Sequence, residues 1–192
     1  SLAHRSYPDH LWDDAKRVEL TDNAGFTKQE VYAPDLILQK ALEYIDQQTG
    51  DKPFFLFLPY ILPHAELVVP DDSIFESYKG KFPETPYKGK DYGLNAIDHG
   101  YASQQFPHAA FAAMVTRLDL YLGQIREKLK EKGLDKNTII VFTSDTGPHN
   151  EGGADPKFFN SNGPFRGVKR DLYEGSISAN FVLRWPAHIP AG

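Results

Sequence analysis

The 192-residue chain contains no cysteine. That absence excludes a disulfide framework, a thiolate zinc site and a cysteine nucleophile among these residues, and it leaves the redox compartment open. A long apolar run is missing too. The longest, Phe54 to Leu62, is interrupted by Pro59 and falls far short of the roughly 20 residues a bilayer-spanning helix needs, so no membrane span is expected. Nor is charge of one sign concentrated anywhere. With 21 Lys and Arg against 26 Asp and Glu and no basic run, the electrostatic footprint of a nucleic-acid or anionic-membrane binder is absent. The opening Ser1-Leu2-Ala3-His4-Arg5 has neither an initiating Met nor the apolar core of a secretion signal, and it reads as a cut into a longer protein.

What is present suits one globular domain, since 41% hydrophobic and 13% aromatic residues can bury a substantial core. Residues 1–34 are polar and broken by Pro8, Gly25 and Pro34, and are expected to form a peripheral arm. A first helix follows: Asp35 can start it, Leu36, Ile37, Ala41, Leu42 and Ile45 recur at helical spacing, and Thr49-Gly50 stops it. Phe54-Phe55-Leu56-Phe57-Leu58 has no polar alternation, which predicts a strand covered on both faces, as in a parallel sheet. Residues 63–108 are a long irregular stretch whose prolines, glycines and aromatics, among them Tyr87, Tyr92 and Tyr101, favour a packed, functional excursion. From Ala109 to Lys132, Phe111, Met114, Val115, Leu118, Tyr121, Leu122, Ile125 and Leu129 form an apolar stripe, which predicts a helix. The β-branched run 138–143 and the segment 181–185 are further strands. The order strand, helix, strand predicts a right-handed βαβ unit and a mostly parallel sheet flanked by helices, an α/β fold.

In open α/β sheets ligands sit beyond the carboxyl ends of the strands. The first predicted strand exits into Pro63-His64-Ala65-Glu66-Leu67, and the second into Ser144-Asp145-Thr146-Gly147-Pro148-His149. Further on, Arg166-Gly167-Val168-Lys169 adds glycine-flanked cations. A carboxylate, two histidines and a lysine at such positions suit an anion held beside a divalent cation. Each residue also has a plainer reading when taken singly. Asp145 can cap the next turn, His64 can be an ordinary loop histidine, Lys169 can be a solvated cation, and His149 can be a hydrogen-bonded supporter. His4, His10, His99, His108 and His188 are read as ordinary.

Jointly, in order and spacing, these stretches and Leu172-Tyr173-Glu174-Gly175 resemble the C-terminal part of the catalytic domain of the sulfatases, within the alkaline-phosphatase-like superfamily. The likeness runs from about Tyr7 to the end, so the chain reads as a single partial domain over residues 1–192 with 63–108 as a substrate-side loop. The resemblance implies hydrolysis of small-molecule or carbohydrate sulfate esters by a formylglycine and Ca²⁺, with Mg²⁺ the lesser candidate. It makes Asp145 a metal ligand, Thr146 a weak one, His64 a sulfate contact or an aid to the leaving group, and Lys169 the holder of sulfate and of the leaving oxygen, with His149 in support. It also suggests a periplasmic, secreted or lysosomal setting.

Three departures stand out. Thr146 occupies the place where the family has Asn, a better calcium donor. Ser178 replaces an Arg in Ser176-Ile177-Ser178-Ala179-Asn180, which also lacks the family's Pro. No paired-Asp metal motif and no nucleophile motif are present. Ser1-Leu2-Ala3-His4-Arg5 fits that motif only superficially, lacking its Leu-Thr-Gly continuation. A missing N-terminal segment is therefore the expected partner, and the 192 residues alone are expected to be inactive. The alternatives are a phosphodiesterase or phosphonate hydrolase of the same superfamily, or a non-catalytic binding domain.

Overall fold

The computed structural model describes residues 4–24, 27–91 and 100–190. Tyr92, His99, Gly25 and the first three residues of the opening motif lie outside them. The chain forms two compact units, one comprising Ser1–Lys40, Leu58–Asp119 and Glu151–Ala154, the other Ala41–Phe57, Leu120–Asn150 and Asp155–Gly192.

In the first unit, the described residues before α1 include regular structure. Strands β1 (His10–Asp13) and β2 (Lys16–Glu19) make an antiparallel hairpin in which Leu11 faces Val18 and Trp12 faces Arg17. Asp14 takes the left-handed conformation at the turn, which a short side chain able to bond its own backbone tolerates. Asn23, fully buried, ties the arm together. Its amide donates to the Pro8 and Val31 carbonyls at 2.6 and 3.1 Å, and its carbonyl accepts from the Glu30 and Val31 amides at 3.2 and 2.8 Å. All four of its hydrogen-bonding positions are thus used, which is what a buried primary amide requires.

Helix α1 (Ala33–Asp46) starts two residues earlier than expected, with Pro34 in its first turn, where a missing N–H costs nothing. The single turn α2 (Ser73–Glu76) is capped by Asp72, whose Oδ1 accepts from the Ile74 and Phe75 amides. Helix α3 (Pro107–Glu131) begins on Glu84, whose two oxygens accept from the His108 and Ala109 amides at 2.8 and 2.9 Å. A carboxylate there satisfies two of the N–H groups that have no partner inside the helix. The core of this unit is built from Tyr7, Tyr32, Leu38, Leu62, Leu67, Val68, Phe75 and Met114, with Ala109, Ala110 and Ala113 of α3. Burial raises the Tyr7 and Tyr32 phenols far above their ordinary range, so both stay neutral.

In the second unit, the C-terminal half of α3 buries Tyr121, Ile125 and Leu129, and Ala41 and Ile45 of α1 are buried as well. Strand β3 (Ile140–Thr143) pairs with β4 (Phe181–Arg184), Ile140 facing Arg184 and Thr143 facing Phe181. Arg184 reaches back to Asp135, in the turn before β3, through two hydrogen bonds of 2.6 and 3.1 Å. The single turn α4 (Glu174–Ile177) precedes β4.

Two expectations change. Both ladders among the described residues are antiparallel, so neither the parallel sheet nor the βαβ pairing is seen there. Residues 54–58 form no strand and are not covered on both faces, with Phe55 85% and Phe57 73% exposed. An extended run becomes a strand only when it pairs with another, and no ladder among the described residues includes 54–58. No helix among the described residues is long and apolar enough to cross a membrane.

Candidate active site

Asp145 and Lys169 belong to neighbouring loops of the second unit. Chain leaving β3 runs through Ser144 and Asp145 to Gly147, whose amide donates to the Ser176 carbonyl at 2.7 Å. The Lys169 amide donates to the Pro148 carbonyl at 2.8 Å. Gly147 is required by closeness, since a Cβ there would lie 2.0 Å from the Gly175 carbonyl oxygen. The Lys169 loop is itself braced. Asp171 accepts from the Val168 amide at 2.9 Å, and the Arg166 guanidinium lies 3.9 Å from the centre of the Tyr173 ring. The structure therefore brings the acidic and cationic segments into backbone contact, with Asp145 exposed, Lys169 half-buried and His149 buried.

The donor set for a metal can be tested on these residues. Calcium takes six to eight oxygens. Asp145 offers one carboxylate, the Thr146 hydroxyl is turned to the Gly147 carbonyl at 3.0 Å, and no cluster of three or more metal-ligating side chains occurs among the described residues. These residues by themselves do not fit a calcium ion.

His64 belongs to the first unit. Its Nδ1 lies 2.5 Å from the Ala65 carbonyl oxygen, and its Nε2 lies 3.2 Å from Glu151 Oε2. The Tyr101 hydroxyl donates to that same carboxylate oxygen at 3.2 Å. The His4 ring stacks on His64 with centroids 4.6 Å apart and planes 13° from parallel, and Tyr101 meets His64 edge-on at 6.0 Å. Beside His64, Glu66 is buried, accepting from Arg5 Nη1 and the Ser6 amide at 2.9 Å each and from the Ala102 amide at 3.4 Å. Glu66 thus fastens the N-terminal arm and the segment after Gly100 around the histidine. Gly152 packs against this segment: it has φ +62°, and a Cβ on it would meet the Ala65 Cβ at 2.6 Å.

Sequence reasoning passed over Glu151 and read His4 as ordinary; it named Tyr101 only among the aromatics of the 63–108 stretch and Glu66 only within the exit motif. One signal was available, the Glu151-Gly152-Gly153 run, since paired glycines next to an acid mark a close backbone approach.

A family model described as Sulfatase matches residues 3–192. The chain belongs to the sulfatase family. Among similar proteins are the steryl-sulfatase of Mus musculus, 35% identical over 97 residues, covering 50% of this chain and 15% of the relative, and the arylsulfatase of Hemicentrotus pulcherrimus, 28% identical over 195 residues, covering 98% and 28%. The solved structure of Ps i-CgsB in complex with k-i-k-neocarrahexaose superposes with a TM-score of 0.61 at 26% identity, over 88% of this chain and 32% of the other. The sulfatase chain thus spans 15% and 28% of the length of these two curated relatives.

Proposed function

We propose that this sulfatase chain supplies part of a site that hydrolyses sulfate esters, with Lys169 as a sulfate contact. The observation that carries the reading is the backbone hydrogen bond from the Lys169 amide to the Pro148 carbonyl, which joins the Asp145 and Lys169 loops at the exit of β3. A sulfate ester carries negative charge on its oxygens and accumulates more on the leaving oxygen as the S–O bond breaks. A compact ammonium fixed on a braced loop meets that charge without having to reorganise. Lys169, half-buried and anchored through its own amide, is such a cation. Asp145 is proposed as one oxygen donor to a Ca²⁺ whose remaining ligands come from outside the described residues. The nucleophile, a formylglycine in this reading, has no precursor cysteine here.

The leaving alcohol is left open by the relatives, whose names span steryl and aryl sulfates and a carrageenan oligosaccharide. A carbohydrate sulfate is the proposed class. The Tyr87 and Tyr101 rings in the 63–108 stretch favour it, since such faces can stack on sugar rings.

The test is turnover by the protein at its full natural length. Release of sulfate from an aryl or sugar sulfate, well above release of phosphate from an aryl phosphodiester, supports the reading. A preference for the phosphodiester replaces it with a phosphodiesterase. No turnover of either leaves a binding domain. The 192 residues alone are expected to turn over neither.

A further inference from the structure

We infer that Asp171 is a positioning residue for Lys169, closing the turn from which the lysine side chain springs. The inference rests on the reading of Lys169 as a sulfate contact and adds the group that holds its backbone in place. Lys169 is the second residue of the turn Val168 to Asp171, in which the Asp171 amide donates to the Val168 carbonyl at 2.9 Å. The Asp171 side chain closes the same turn again, its Oδ2 accepting from the Val168 amide at 2.9 Å. Between these bonds Arg170 takes φ +80°. That is the value the third position of a type II turn requires, and Gly or Asn usually supplies it. In an arginine the Cβ opposes it, so it persists only where the surroundings enforce it.

The neighbouring contacts divide the work. Gly167 enters the turn with φ +97°, and a Cβ on it would meet the Tyr173 Cβ at 2.8 Å. The Gly175 amide donates to the Arg166 carbonyl at 2.8 Å, and the Lys169 amide donates to the Pro148 carbonyl at the same distance. These hold the base of the loop and tie it to the chain leaving β3, while the two bonds of Asp171 hold its tip. All of these residues belong to the second unit.

Asp171 is exposed. A hydrogen bond that water can compete for adds little to global stability, so its effect is local, selecting one backbone shape for the turn. An ammonium on a flexible four-carbon stem is placed only as well as the backbone beneath it. Charge held in position before the reaction is what stabilises charge that builds during it. Asp171 serves here as an acceptor at a fixed reach, so its shape should matter more than its charge.

The experiment compares Asp171→Asn with Asp171→Glu in the protein at its full natural length, by kcat/KM for an aryl sulfate and by hydrogen exchange at the Val168 amide. Asparagine keeps an acceptor oxygen at the same reach and loses the charge; glutamate keeps the charge and moves the acceptor one methylene away. Asp171→Asn should stay within about threefold of wild type and keep the Val168 amide protected. Asp171→Glu should lose that protection and lower kcat/KM by about tenfold or more. In a Lys169→Ala background Asp171→Glu should lower kcat/KM no further, because it acts through the lysine. If Asp171→Glu does not fold, Asp171→Ala, which removes the acceptor without adding bulk, takes its place with the same expectations. The opposite ranking of the two variants, an undiminished loss in the Lys169→Ala background, or unchanged exchange at Val168 overturns the inference. A wild type that turns over no sulfate ester defeats the functional reading, and the exchange comparison then decides by itself whether Asp171 holds the turn.

Discussion

Arg5 and Glu66 form a buried ion pair, Nη1 to Oε2 at 2.9 Å, in which the arginine side chain is 8% exposed and the glutamate not at all. The Ser6 and Ala102 amides also donate to the carboxylate. Removing one partner would strand the other charge in a medium that cannot solvate it. Arg5→Ala should therefore destabilise the chain by about 3 kcal/mol or more, read from the urea midpoint. Arg5→Ala with Glu66→Leu should recover part of that loss, and an additive double variant would show that the pair is not coupled.

Asn23→Ala should cost about 3 kcal/mol, because it leaves the Pro8 and Val31 carbonyls and the Glu30 and Val31 amides unsatisfied at once. Asn23→Asp keeps the two acceptor contacts but sets an acceptor-only oxygen against the Pro8 and Val31 carbonyls, so it should destabilise the chain as well. Equal midpoints for wild type and Asn23→Ala would refute the hub.

Close approach, rather than flexibility, should dominate at Gly147. Gly147→Ala puts a methyl 2.0 Å from the Gly175 carbonyl oxygen and should lower stability by about 2 kcal/mol as the two loops part. Gly123→Ala, inside α3 with open space around the new methyl, should raise stability by about 0.5–1 kcal/mol. Thermal unfolding of the two variants decides, and a stabilised Gly147→Ala would show that the loops are not in contact.

Acid should weaken both units through depressed carboxyls. The hydrogen bond from Arg184 comes first in holding Asp135 below the usual carboxylate range; at Asp72 burial works the other way, but Arg117 and the Phe75 and Ile74 amides outweigh it. A carboxyl lowered on folding contributes stability above its unfolded pKa, about 4, and loses it as pH falls through the folded value. Unfolding free energy should thus be flat near neutrality and decline below about pH 4. Asp135→Asn should flatten part of that decline while lowering the plateau by about 1 kcal/mol, the pair being partly solvated. An identical acid profile for Asp135→Asn would remove Asp135 from the account.

The long apolar stripe ending at Leu129 made α3 legible to within two residues at its start and one at its end, because a 3.6-residue period is a local property of the chain. The strand character of 140–143 and 181–184 was legible for the same reason. Their antiparallel pairing was not, since partner choice is a long-range matter that two apolar runs leave undetermined. The hairpin 10–19 hid behind charged residues because both its strands are largely exposed and carry little apolar alternation. Among candidate site residues, Asp145 and Lys169 were singled out from motif order, and their loops meet in the structure. Glu151, 87 positions from His64, was not, because nothing in either neighbourhood names the other.

The most direct measurement of the central claim is kcat/KM for an aryl sulfate with Lys169→Ala, made on the protein at its full natural length. If the ammonium meets the charge that builds as the ester breaks, the value falls by roughly a hundredfold or more. A change under about threefold would return Lys169 to the surface and contradict the account.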